Sequence, residues 1–160
     1  MGAPYSVVFI CTGNSCRSQM AEALLRHLGG SRFIARSAGS NPAGYIHPLA
    51  METMRRLNVS MEGQFSKSWN ALASELHDII ITVCDAAGTR PCPAWPGHPV
   101  TAHWSLPDPS FAAGSDEERL DAALAVAHTL ERWLKQLVAV PIGEVSSDAL
   151  KEALQRIADI

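Results

Sequence analysis

The stretch Val7-Val8-Phe9-Ile10-Cys11-Thr12-Gly13-Asn14-Ser15-Cys16-Arg17-Ser18-Gln19-Met20 decides how the chain folds. Its first part continues an apolar, β-branched run that starts at Tyr5 and shows no polar alternation, the pattern of a central parallel strand covered on both faces. Residues 12–15 are turn-rich. From 18 to 28 the periodicity predicts a helix, with Met20, Ala21, Leu24, Leu25 and Leu28 on one stripe and Gly29 as its stop. A strand that runs through a short loop into a helix aims several backbone N–H groups at one point, which suits a tetrahedral oxyanion.

The rest of the chain repeats the alternation. A strand is expected over 33–37, ending in Ala38-Gly39, and a helix over 48–57 that starts on Pro48 and turns Leu49, Met54 and Leu57 inward. Residues 71–77 read as a short helix. The run Asp78-Ile79-Ile80-Ile81-Thr82-Val83 is a strand that delivers Cys84 at its C-terminal end. Residues 85–115 are rich in proline and loop-like, with a short strand near 100–104. Ser115 and Glu118 form a capping box that opens a long helix with Leu120, Leu124, Ala127, Leu130, Leu134 and Leu137 on one face, ended by Pro141. Residues 146–160 form a last amphipathic helix, with Leu150, Leu154 and Ile157 on one side; it either covers the core or pairs with another chain. The expected organisation is one α/β domain over 1–140 followed by a C-terminal helical extension over 141–160. Strands alternating with helices predict a parallel sheet with helices on both faces, and ligands in such sheets bind beyond the C-terminal strand ends, where Cys11 and Cys84 both fall.

Composition narrows the function classes. The chain has 160 residues, a net charge of −3 and 18% charged residues, too few to drive disorder. A pI near 6.0 gives no electrostatic footprint for nucleic acid. No apolar run reaches the roughly 18 residues a membrane span requires, and the N-terminus lacks a signal-peptide pattern, so a soluble cytoplasmic protein is expected. Four cysteines in a reducing compartment point to chemistry or metal binding before a disulfide framework. His98 and His103 invite a zinc reading, but their spacing and that of Cys84 and Cys92 match no strong zinc motif, and no metal is expected. Trp69, Trp95, Trp104 and Trp133 read as packing residues.

Each part of the loop 11–18 has a physical reason. Gly13 allows a positive φ, and Asn14 is among the few other residues that tolerate it. Arg17 offers a planar fork of donors to an anion. A free thiol is only about 3% ionised at pH 7, whereas a helix N-terminus and an adjacent cation raise the thiolate fraction. Cys11 is therefore the expected nucleophile, and Ser18 a hydrogen-bond donor to its sulfur. The anion would be held by Thr12, Gly13, Asn14, Ser15, Cys16, Arg17 and Ser18. Cys16 reads as a small buried side chain, with a catalytic thiol as the alternative.

The stretch from Phe9 to Glu22, together with Ser37-Ala38-Gly39, Thr82-Val83-Cys84-Asp85, Cys92-Pro93, His103-Trp104 and Asp108-Pro109, resembles the arsenate reductases built on the low-molecular-weight protein tyrosine phosphatase fold. The likeness runs over roughly residues 5–138. It implies a flavodoxin-like three-layer sandwich around a four-stranded parallel sheet, with loop 11–18 as the P-loop. It also implies a relay. Cys11 attacks arsenate held by the P-loop and Arg17. Cys84 attacks the adduct and releases arsenite, and Cys92 resolves the Cys11–Cys84 bond to Cys84–Cys92. An external thiol then reduces that disulfide: thioredoxin is expected, with glutaredoxin/glutathione or another small thiol as alternatives, and no bound cofactor is needed. Disulfide Cα atoms lie within about 7 Å, yet eight extended residues span roughly 27 Å, so the segment must fold back, with Gly88 and Pro91 as pivots.

By the same resemblance Asp108 protonates a leaving oxygen, although an Asp-Pro turn is also ordinary loop chemistry. Asn14 and Ser37 brace the P-loop. Lys67 stands where some relatives place an acid of a monovalent-cation site, so its ammonium either replaces the cation or is simply solvated. Two other functions compete with reduction: a low-molecular-weight tyrosine phosphatase, and a non-enzymatic thiol module for arsenite or another soft metal. A phosphatase has no use for a second pair of thiols, and Ser110-Phe111 stands where that branch often carries tyrosines.

Overall fold

The computed structural model describes residues 3–83 and 95–160. The sheet has four parallel strands, β1 (Tyr5–Cys11), β2 (Phe33–Gly39), β3 (Ile79–Thr82) and β4 (Val100–His103), in the spatial order β2-β1-β3-β4. Val7, Val8, Phe9 and Ile10 are completely buried, as the unbroken apolar run requires of a central strand. Since β1 pairs with β2 on one side and β3 on the other, the chain reverses its direction of travel across the sheet at the C-terminal end of β1. A crevice opens at such a point, and Cys11 is the last residue of the strand that feeds it.

The helices are α1 (Arg17–Gly29), α2 (Pro48–Arg56), α3 (Asp116–Ala139) and α4 (Ser147–Ile157). Helix α1 carries Met20, Leu24 and Leu25 into the core and packs against β2 and α3. Gly29 remains helical, and Gly30 takes the positive φ at the end; a Cβ on Gly29 would meet the Phe33 ring at 2.5 Å, so that glycine serves close packing. Helix α2 starts with Pro48 at its first position, and its N-cap is His47, whose Nδ1 accepts the Leu49 N–H at 3.0 Å. Helix α3 opens on the expected Ser115/Glu118 capping box. Among the described residues, no helix is long and apolar enough to cross a membrane.

The C-terminal helix is part of the core. Leu150, Leu154 and Ile157 join the same apolar cluster as the sheet, and α4 lies along the edge strand β4. Trp104 is completely buried, stacks edge-on against Trp133 with ring centroids 5.6 Å apart, and donates its indole N–H to Leu154 O at 2.9 Å. A buried indole needs such a partner, and here the tail supplies it.

One expected element differs. Residues 71–77 do not form a helix; only Trp69–Ala71 makes a 3-10 turn. The buried His77 explains the difference. Its ring nitrogens bond Ser6 Oγ and Leu72 O, both at 2.9 Å, which ties the segment to β1 in an irregular path.

Candidate active site

The P-loop closes because its carbonyls are taken from outside. Thr12 O accepts from Asn41 N (2.9 Å), Gly13 O from Ala43 N (2.8 Å), Asn14 O from Gln19 Nε2 (3.0 Å) and Ser15 O from His47 N (2.8 Å). A planar trans peptide points its N–H opposite to its C=O. The N–H groups of Gly13, Asn14, Ser15 and Cys16 therefore face the inside of the loop. The segment 41–47, of no motif in the sequence, wraps the cradle from outside and makes it an anion nest.

Of the two residues expected to tolerate a positive φ, Asn14 adopts it, at 45°, and Gly13 does not. Asn14 is fully buried and its amide orientation is determined by its neighbours. Oδ1 accepts from Lys67 N (3.0 Å) and Gln19 Nε2 (3.1 Å), so Nδ2 is the end that donates to Ser18 Oγ (2.8 Å) and Ser37 Oγ (2.9 Å). Ser18 Oγ also lies 2.8 Å from Cys11 Sγ, and when Cys11 is a thiolate the hydroxyl is the only possible donor of that pair. A donor to sulfur favours the thiolate. The second arm runs from Ser37 Oγ to Glu22 Oε1 at 2.6 Å, and Glu22 Oε2 accepts from Arg26 at 2.8 Å. Burial pushes the Glu22 carboxyl above its ordinary value of 4.5, against the lowering effect of Ser37, Lys67 and Arg26.

Gly39 ends β2 beside Cys11, and a Cβ there would lie 2.5 Å from Thr12 O. Only glycine permits that approach. Cys16, the N-terminal neighbour of α1, is buried, and burial first, then Asp108 and Cys11, push its thiol up to about 12. It is a neutral side chain, as its small-apolar reading expects.

Above the cradle lies a cavity of about 650 Å³ lined by Cys11, Arg17, His47 and Asp108, with Tyr45 and Phe111 at its mouth. Arg17 Nη1 donates to Leu106 O at 3.0 Å and Nη2 pairs with Asp108 Oδ2 at 3.2 Å. Those bonds use two of five N–H donors and leave the others for an anion. Asp108 caps the 3-10 turn Pro109–Phe111; its Oδ1 accepts Ser110 N (3.0 Å) and Ser110 Oγ (2.6 Å). His47 belongs to the cavity wall, and burial, with the Arg119 guanidinium second, lowers its imidazole below the ordinary 6.5.

The structure thus brings Cys11, the P-loop, Arg17, Ser18, Ser37 and Asp108 together. Lys67 contributes through its main chain: its N–H reaches Asn14, its carbonyl accepts from Gly39 N at 2.9 Å, and its ammonium sits on Phe65 O at 3.0 Å and over the Phe65 ring. Cys84 and Cys92 lie outside the described residues. Sequence reasoning missed His47, Ser110, Gln19 and Tyr45. His47 directly before Pro48, at a helix start, was the available signal for one of them; the others are set by long-range contacts.

A thiol at the end of the central strand, enclosed by inward N–H groups and faced by an arginine and a carboxylate, defines a cysteine-dependent oxyanion-processing α/β protein. Residues 6–155 match the model of the low molecular weight phosphotyrosine protein phosphatases, and the chain belongs to that family. It is 35% identical to an arsenate reductase of Halalkalibacterium halodurans over 113 residues, 71% of this chain and 80% of that protein. Among solved structures it is similar to an arsenate reductase in its phosphate-binding state, with a TM-score of 0.72, 27% identity, and coverage of 84% of this chain and 97% of that one. It is also similar to a thioredoxin-dependent arsenate reductase of Corynebacterium glutamicum, with a TM-score of 0.57, 30% identity, and coverage of 84% and 64%.

Proposed function

We propose that the chain is an arsenate reductase that converts arsenate to arsenite at Cys11. The observation that carries this is Cys11 Sγ standing 2.8 Å from the Ser18 hydroxyl inside the P-loop nest, in a chain similar to arsenate reductases over most of its length. The Cys11 thiolate attacks arsenic while the N–H groups and Arg17 hold its oxygens, and Asp108 gives a proton to the departing oxygen so that it leaves as water. Cys84 then attacks the Cys11 sulfur. The S–S bond forms as the As–S bond breaks, and its electron pair stays on arsenic, which leaves as As(III). Cys92 attacks Cys84, frees Cys11 as thiolate, and leaves a Cys84–Cys92 disulfide holding the two oxidising equivalents. An external dithiol closes the cycle, and the thioredoxin dependence of the Corynebacterium neighbour favours thioredoxin. Phosphate, close to arsenate in shape and charge, should compete for the cradle.

Weak aryl-phosphate hydrolysis is a second activity of the same site. Tyr45 and Phe111, both exposed at the cavity mouth, offer an aryl group a surface, although the tyrosine comes from the 41–47 segment and not from the Asp108 turn. The deciding experiment is arsenate-dependent NADPH oxidation with thioredoxin and its reductase, beside a glutathione/glutaredoxin system. Turnover with thioredoxin is expected. No turnover in either system, with brisk aryl-phosphate hydrolysis, would make the chain a phosphatase.

A further inference from the structure

The two oxygens of Asp108 are held differently. Oδ2 pairs with Arg17, whereas Oδ1 accepts both the N–H and the hydroxyl of Ser110. Oδ1 accepts two donors and Oδ2 only the Arg17 N–H, so Oδ2 is the oxygen with a lone pair left for a proton, and Ser110 sets its direction. What places Ser110 is less obvious. The backbone bonds of its turn, Phe111 N to Asp108 O (3.2 Å) and Ala112 N to Pro109 O (3.1 Å), are local and shape the turn without locating it relative to Cys11. A tie to the body of the protein comes from Arg119, one turn into α3, whose Nη2 donates to Ser110 O at 3.0 Å.

Arg119 also borders a neighbouring cavity that includes His47, Glu52 and Asp116. Among the described residues, no carboxylate forms an ion pair with it, and its Nε is buried without a hydrogen-bond partner. A guanidinium held with a buried donor unsatisfied costs stability, so packing alone does not account for its position. It lies close enough to the cavity wall to act electrostatically on His47.

We propose that Arg119 is a positioning residue for the Cys11 reaction: through Ser110 it holds the Asp108 carboxyl over the oxyanion cradle. The proposal rests on the arsenate reductase reading. Small displacements of a reacting group are costly, about 10²-fold for 1 Å, so losing one of several ties should cost roughly tenfold.

The test is a single turnover of the fully reduced full-length protein without external thiol, following arsenite release at several arsenate concentrations. Arg119→Met should lower the limiting rate about tenfold with an unchanged half-saturating arsenate concentration, and Arg119→Lys should recover part of the loss. In an Asp108→Asn background the same substitution should change nothing further, because the group it positions can no longer donate. A rate equal to that of the wild type, an equal loss in both backgrounds, or a changed half-saturation with an unchanged rate would overturn the proposal. If the Met variant does not fold, Arg119→Lys in both backgrounds decides the same question. A wild-type chain that makes no arsenite but hydrolyses phenyl phosphate overturns the reductase reading alone, and the double-variant comparison is then read on phenyl phosphate. A chain inactive on both overturns both.

Discussion

The cradle and the acid turn face each other across one cavity and are built on opposite plans. The P-loop is tied from every side: four of its carbonyls accept from outside the nest, and Asn14 alone joins Gln19, Lys67, Ser18 and Ser37. The turn at 108–111 depends on Arg17, Ser110 and one bond from α3. A binding site gains from rigidity, because donors already aimed at the anion need no reorganisation when charge moves. As the proposed acid, Asp108 must meet a proton acceptor whose position shifts during reaction, and a turn with fewer hydrogen bonds to the rest of the protein allows this.

Substitutions can break that contrast. The largest effect is expected from Asp108→Asn, which should lower the single-turnover rate by about 10²-fold or more while arsenate binds at least as well, since a negative charge beside Arg17 is removed. Rapid-quench measurement of arsenite against arsenate concentration checks both parts. Asn14→Ala should do the reverse in kind. It strips several buried bonds from the cradle and should cost roughly 2–4 kcal/mol of stability by denaturant unfolding, together with a loss of phosphate affinity in calorimetry. Equal stability would mean that the nest does not depend on its Asn14 hub.

The smallest effect concerns pH. Burial raises the Glu22 carboxyl above 4.5, so the unfolded chain releases that proton first, and stability is lost as pH rises from about 4.5 through the folded value. Glu22→Gln lacks this dependence. Its melting temperature relative to the wild type should therefore rise between acid and neutral pH, and a constant difference would contradict the buried, Ser37-bonded carboxyl.

Much of this was legible in the chain because it is locally encoded. The apolar run of β1, the Cys-x5-Arg-Ser loop, Pro48 at a helix start and the Ser115/Glu118 box each report their structure within a few residues. The braces were not legible, because segment 41–47 acts through backbone N–H groups that any sequence carries, and Gln64, Ser66 and Lys67 reach the loop or its brace Gln19 from far away along the chain. Residue type told only part of the story. Of the two residues read as tolerating a positive φ, Asn14 adopts it and Gly13 does not, and Lys67 braces the loop through its main chain. The irregular path of 71–77 depended on His77 finding Ser6, a partner invisible to local periodicity.

The central claim is that the Cys11 thiolate begins a two-electron transfer that ends in a bond between Cys84 and Cys92. The most direct measurement is mass-spectrometric mapping of thiols after reduced protein meets arsenate without an external reductant. The account predicts one arsenite per chain, a Cys84–Cys92 disulfide, and Cys11 and Cys16 recovered as thiols. Arsenite without that disulfide, or all four thiols intact after exposure, would contradict it.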